Sequence, residues 1–226
     1  MIDTRVSQED IVKPDNYDYE GAHAVNKKLG KTAEGRKLLS SELGTEDLDT
    51  YVEVEKLKSE NVRDAMTGVF NYGYLMKELE ARTKNPSVEC FAVFWLDMDS
   101  LKYINDKHGH PAGSEVIIGM ARLLENKIRP NEKGFVARYG GDEFIIVIPG
   151  VDTDQAAKIR AEEIRKTVSE TRFRAGDNNI IETVSIGAGV WNGKETSDEF
   201  LNRVDASMYY AKEHGKNQVA FAKNNV

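Results

Sequence analysis

The spacing of apolar residues along this chain changes near Asp64. Before it the sequence is polar and interrupted by Gly21, Gly30 and Gly44, with short apolar groups such as Leu38-Leu39 and no second core. Between Thr45 and Val62, apolar residues at 48, 51, 52, 54, 57 and 62 sit among charges and predict a helix. They hold no sustained heptad, so a lone helix leading into the following domain is expected rather than a coiled coil.

After Asp64 the pattern is dense and alternates in type. Residues 71–83 read as a helix, and 88–96 (VECFAVFWL) as a strand buried on both faces. Ile117, Met120, Leu124 and Ile128 mark one face of a helix over 114–128. Strands are expected at 135–139 and 144–148, joined through Gly140-Gly141 in a hairpin that uses positive φ. A helix through Ala157, Ala161, Ile164 and Val168 follows, then a strand over 180–191. A last helix through Leu201, Val204, Met208 and Ala211 precedes a closing edge strand at 218–221. The central order, strand–helix–strand–strand–helix–strand, predicts an α+β fold: a ferredoxin-like βαββαβ sheet flanked by helices.

Composition narrows the function. The net charge of −7 argues against a general nucleic-acid binder. Cys90 stands alone, which excludes a disulfide framework and a cysteine zinc site and suits a reducing cytoplasm. No apolar run is long enough to span a membrane, and polar sequence follows Met1 where a signal core would be apolar. No Gly-x-Ser-x-Gly, Walker lysine loop or dinucleotide fingerprint is present.

The candidate chemistry lies at strand ends. Asp97-Met98-Asp99 closes the apolar strand and Asp142-Glu143 follows the glycine turn. Carboxylates ending a central strand cost stability unless they meet water, a donor or a cation. If the hairpin pairs beside that strand, the oxygens converge on one spot that suits Mg²⁺ or Mn²⁺ and phosphate chemistry. The alternative is a loop cap at Asp97 and a solvated turn at 142–143. Lys102, Lys212 and Lys216 lie where phosphates would need them, and Gly140 and Gly141 would let a nucleotide approach the backbone. His108 and His110 lack a third partner at metal spacing, and Ser114 is expected at a helix N-cap.

Residues 138–144 (RYGGDEF) resemble the signature of the GGDEF family of diguanylate cyclases. Residues 64–71 (DAMTGVFN) are similar to that family's D-x-L-T-G-L-x-N opening, and 97–106 (DMDSLKYIND) with Gly109-His110 to its D-I-D-x-F-K-x-I-N-D…G-H run. Residues 184–187 and 206–217 match its later segments. The resemblance implies a nucleotidyl-cyclase or polymerase-palm core over 61–226; residues 1–60, too short and polar for a sensory domain, are expected to be a regulatory or dimerisation arm through which a regulatory protein could act. It implies Asp97, the Met98 carbonyl and Asp142 as ligands of two Mg²⁺ or Mn²⁺ ions, and Glu143 as a further acid for the metals or the attacking hydroxyl. It also implies Lys102 and Lys212 on the triphosphate, Asn105 on the guanine edge, and a homodimer, since each domain holds one nucleotide.

Three departures from the family pattern change the expectation. Ser114 stands where most members carry an Asp that selects guanine. A hydroxyl both donates and accepts, so discrimination against ATP should fall. The serine-bearing subset that this resembles makes 3′,3′-cyclic GMP-AMP, and mixed use of GTP and ATP is expected here, with strict GTP use as the alternative. The R-x-x-D product-inhibition motif is replaced by Asn131-Glu132-Lys133-Gly134, with Arg129 out of register. Lys216 replaces an Arg, keeping charge without the fork. A catalytically weak receptor module is the rival reading. Retention of Asp97, Asp142, Glu143, Lys102 and Lys212 favours an enzyme.

Overall fold

The eight residues Phe91–Met98 form a strand in which every position is buried, because it is paired on both sides and covered on both faces. The computed structural model describes residues 62–85 and 90–223, which belong to the unit Val62–Val226. The arm at 1–60, its expected helix and the start of the strand predicted at 88 lie outside the described residues.

In chain order the elements are β1 (Phe70–Asn71), α1 (Tyr72–Lys84), β2 (Phe91–Met98), α2 (Leu101–His108), α3 (His110–Lys127), β3 (Phe135–Gly140), β4 (Glu143–Pro149), α4 (Asp154–Glu170), β5 (Arg172–Ala175), β6 (Asn178–Ile181), β7 (Val184–Val190), α5 (Ser197–Glu213) and β8 (Val219–Phe221). The main sheet runs β1-β3-β4-β2-β7-β8, and β5-β6 form a separate hairpin. β3-β4-β2-β7 is the ferredoxin-like order that the βαββαβ pattern predicted, with β8 at the edge. Among the described residues no helix is long and apolar enough to cross a membrane.

Strand alternation sorts the core into two layers. Ala92, Phe94, Leu96 and Met98 face one cluster with Ile104, Val116, Met120 and Ile164. Phe91, Val93 and Trp95 face the other, with Leu75, Leu79, Val204 and Met208 from α1 and α5. Asp97 shares the parity of Trp95, which places it on the α5 face. Gly187 and Gly189 of β7 stand opposite Trp95 and Val93. A Cβ at Gly187 would overlap the α5 backbone at Val204 and Met208, so the glycine lets α5 lie close to the sheet.

Several boundaries differ from the sequence reading. The helix expected from Ser114 begins at His110, with Gly109 (φ 83°) before it and Pro111 in its first turn. Ser114 is therefore in the second turn and is not an N-cap. The strand expected over 180–191 is two strands, since Glu182 and Thr183 separate β6 from β7. Only Gly141 of the glycine pair takes positive φ (50°), and Gly140 belongs to β3 beside a bulge.

Candidate functional site

The signature turn is built by register. Asp97 of β2 pairs with Glu143 of β4 on one side and Ser185 of β7 on the other, so the Asp97 and Glu143 side chains share the α5 face. Asp142 sits in the β3–β4 turn, where its carbonyl accepts from Met98 N–H at 3.3 Å. Arg138 fixes that turn. Its guanidinium donates to the Gly141 carbonyl at 2.6 and 3.1 Å and to Asp64 Oδ1 at 3.1 Å. Burial acts upward on the Asp64 carboxyl, but the Thr67 N–H and hydroxyl together with Arg138 hold it below its ordinary value. Two sequence motifs 74 residues apart are thereby joined.

Asp97 is 4% exposed. Its Oδ2 meets Lys212 Nζ at 2.5 Å, while Oδ1 is buried with no hydrogen-bond partner among the described residues. Burial pushes its pKa up to about 6; Asp142 and Asp99 add to the rise and Lys212 only partly opposes it. Glu143 is raised as well, by burial and then by Asp97, Asp205 and Asp142. For Lys212, desolvation acts downward but the bond to Asp97 wins, and its pKa lies above the ordinary value. A buried carboxylate oxygen without a donor, beside further acids, fits a cation. No group of three or more His, Cys, Asp or Glu side chains that could hold a metal occurs among the described residues. Of the ligands the resemblance implies, Asp142 lies close enough to Asp97 to raise its pKa, and its carbonyl accepts from the Met98 N–H.

Gly140 has nothing within 4 Å of where a Cβ would lie, so the ridge beside these acids is open on that side. Lys102, in the first turn of α2, is exposed and makes no hydrogen bond or ion pair with the described residues. Asn105 lies one turn on and presses its carboxamide against Gly113 of α3, the residue before Ser114. Lys216, expected on phosphate, donates to the Asp99 carbonyl at 2.8 Å. Arg129 is engaged with Glu132 and Glu163.

Sequence reasoning missed four contributors. The Asp99 carboxylate accepts from Thr183 Oγ1 and Ser185 Oγ, both at 2.6 Å, and from Asn217 N–H at 2.9 Å, tying β2 to β7 and to the turn after α5. Asp205 lies seven residues before Lys212, so it shares that helix face, and its charge raises Glu143. Arg138 is the turn clamp. Glu182 is 1% exposed and bonded at the start of α2. The signal for Asp205 was its helical spacing from Lys212; for Glu182 it was a lone acid breaking an apolar run.

The model for the diguanylate cyclase GGDEF domain matches residues 61–218. Diguanylate cyclase DgcM of Escherichia coli K12 is 35% identical over 170 residues, covering 74% of this chain and 40% of that protein. The chain thus spans well under half the length of that curated relative. Among solved structures, the GGDEF domain of DgcB from Caulobacter crescentus in complex with c-di-GMP is 29% identical, with a TM-score of 0.65, covering 72% of this chain and 94% of that one. Diguanylate cyclase SiaD of Pseudomonas aeruginosa, solved with its activator SiaC, is 26% identical with a TM-score of 0.67, covering 90% of this chain and 78% of that one.

Proposed function

Since this chain belongs to the GGDEF diguanylate cyclase family, we propose that it is a cyclic-dinucleotide synthase, joining GTP and ATP into 3′,3′-cyclic GMP-AMP alongside cyclic di-GMP. The observation that carries the reading is Asp97 and Glu143 directly opposite on neighbouring strands, next to Asp142 and under Lys212. Asp97, the Met98 carbonyl and Asp142 would hold two Mg²⁺ or Mn²⁺ ions. Bound there, the metals supply stabilisation of charge on the α-phosphate and the leaving oxygen and lower the pKa of the attacking hydroxyl.

The chain's own residues do the rest. Lys102 is free to meet the triphosphate, and Lys212, now on Asp97, is placed to reach phosphate as well. The open backbone at Gly140 and Gly141 leaves room for the nucleotide. Glu143, with its raised pKa, takes the proton of the ribose 3′-hydroxyl as the O3′–P bond forms and the bond from the α-phosphorus to pyrophosphate breaks. Repeating the step from the second nucleotide closes the ring and releases a second pyrophosphate. Each domain holds one nucleotide, so a homodimer is required at least during reaction.

Asn105 and Ser114 meet the base. A hydroxyl at 114 can accept from the guanine N1–H or donate to the adenine N1, which is why mixed substrate use is proposed. Residues 1–60 are proposed as a regulatory or dimerisation arm, open to a regulatory protein; removing residues 1–50 should change the rate or its dependence on protein concentration. The substrates suit the cytoplasmic location expected from the lone Cys90.

The test is incubation of the purified dimer with Mg²⁺ and GTP, ATP, or both, products being resolved by mass, with Asp142→Ala as blank. Cyclic GMP-AMP from the mixture, falling at least about tenfold relative to cyclic di-GMP in Ser114→Asp, is the expected result. Cyclic di-GMP alone keeps the synthase and removes the mixed specificity. No product from a demonstrated dimer would leave a nucleotide-binding receptor.

A further inference from the structure

Helix α2 carries Lys102 and Asn105 yet begins without a cap of its own. Ser100 occupies its N-cap with φ −135°, and the serine side chain makes no capping bond. In α5 the box is closed locally: Thr196 accepts from the Glu199 N–H, and the Glu199 carboxylate accepts from the N-cap N–H. The corresponding third position of α2 is Tyr103, which cannot return that bond.

The missing acceptor comes from 82 residues away. Glu182 Oε1 accepts from the Ser100 N–H at 3.1 Å and from the Thr183 N–H at 2.8 Å. Two further bonds stitch the same junction: Asp99 N–H to the Thr183 carbonyl at 3.0 Å, and Thr183 Oγ1 to Asp99 Oδ2 at 2.6 Å. Glu182 lies between two strands, 1% exposed, with its Oε2 buried and unpartnered among the described residues. A carboxyl buried that deeply is unfavourable unless it holds something in place. In its ionised form it also sets a negative group at the start of a helix whose second residue, Lys102, is a cation poorly suited to that end.

We propose that Glu182 is a positioning residue for nucleotide binding, capping α2 from the β6–β7 junction and thereby fixing where Lys102 and Asn105 meet the nucleotide. The inference rests on the reading of α2 as the nucleotide-binding helix. Glu182 does not touch the substrate; it acts through the start of α2.

The test uses the full chain with Mg²⁺ and GTP. Glu182→Met keeps the volume and removes the acceptor, and should raise the KM for GTP about tenfold with kcat within about twofold. Glu182→Gln retains an acceptor oxygen and should stay within about twofold of wild type. Adding Tyr103→Glu to Glu182→Met rebuilds a local Ser-x-x-Glu box on a residue 62% exposed, and should restore most of the affinity. Glu182→Ala serves as the second acceptor-free variant if Glu182→Met does not fold. An unchanged KM in a folded acceptor-free variant, or no rescue by Tyr103→Glu, would overturn the proposal. Hydrogen exchange separates it from the synthase reading: α2 amides should lose protection in Glu182→Met whether or not the wild type makes product. Unchanged α2 protection would overturn the cap itself, whereas a wild type that binds GTP but makes no product would overturn only the synthase.

Discussion

The Asn105 carboxamide fills the space that a side chain on Gly113 would need. A Cβ at Gly113 would lie 2.9 Å from Asn105 Cγ and 3.3 Å from Leu101 Cδ1, inside normal contact. Gly113 is buried in the first turn of α3 against Leu101 and Asn105 of α2, so its lack of a side chain sets how closely the two helices approach. Gly113→Ala is therefore expected to push Asn105 off its position and to cost about 1–3 kcal/mol as overpacking. The KM for GTP should rise more than kcat falls. Thermal melting with GTP kinetics checks it, and a variant with wild-type melting and KM would show that the space is not shared.

Acidity should stabilise the metal-free protein. Asp97 is pushed up to about 6 and Glu182 up to about 7, in both cases first by burial and then by neighbouring carboxylates, against lower ordinary values in the unfolded chain. Between the unfolded and folded values the native state binds more protons than the unfolded state, so stability falls as pH rises through about 4 to 7. Above that window these groups contribute no further slope. The metal-free wild type should lose more melting temperature between pH 5 and pH 7.5 than Asp97→Asn or Glu182→Gln. Equal slopes in all three proteins would remove these carboxyls as the cause.

Arg138 holds the turn by geometry that lysine cannot copy. Its fork grips the Gly141 carbonyl through two nitrogens and reaches Asp64 through a third, and the ion pair is largely shielded, with side-chain exposures of 12% and 25%. Arg138→Ala should cost about 1–3 kcal/mol, leaving the Gly141 carbonyl and Asp64 without this donor. Arg138→Lys should recover only a minor part, since one compact ammonium lacks the planar fork that reaches the Gly141 carbonyl and Asp64 together. Chemical denaturation of the three proteins checks it; full recovery by lysine would reduce the role of Arg138 to charge.

Where the sequence was readable, the reason was repetition. β2 declared itself because pairing on both edges and cover on both faces demand an unbroken apolar run, and the β3–β4 hairpin because glycines interrupt two such runs. The pairing of Asp97 with Glu143 followed from those strands. Helix α2 was hidden because LKYINDKH buries only Ile104 and so shows no apolar period. Ser114 was misplaced because the N-cap rule rewards serine, whereas α3 starts four residues earlier at His110, after the positive-φ Gly109 and with Pro111 in its first turn. The end of β6 was merged into β7 and β5 went unread, because the inward residues of that hairpin, Phe173, Ala175 and Ile180, are too few to mark separate strands. Glu182, Arg138 and Asp99 each make a bond to a partner 74 to 118 residues away, which no local spacing encodes.

Gly140 separates the demands of the fold from those of the reaction. Its neighbour Gly141 has φ 50°, so a side chain there would strain the backbone whatever the function. Gly140 has no positive φ, pairs within β3–β4, and has open space where a Cβ would stand. The fold therefore gives no reason for glycine at 140, while a nucleotide approaching the backbone does. Gly140→Ala should melt within about 1 kcal/mol of wild type, the ordinary effect of a surface substitution, yet lose most of its turnover or GTP affinity. Melting and cyclisation assays on the same preparation check it. An alanine variant that cyclises GTP at the wild-type rate would mean that the nucleotide does not lie against this ridge.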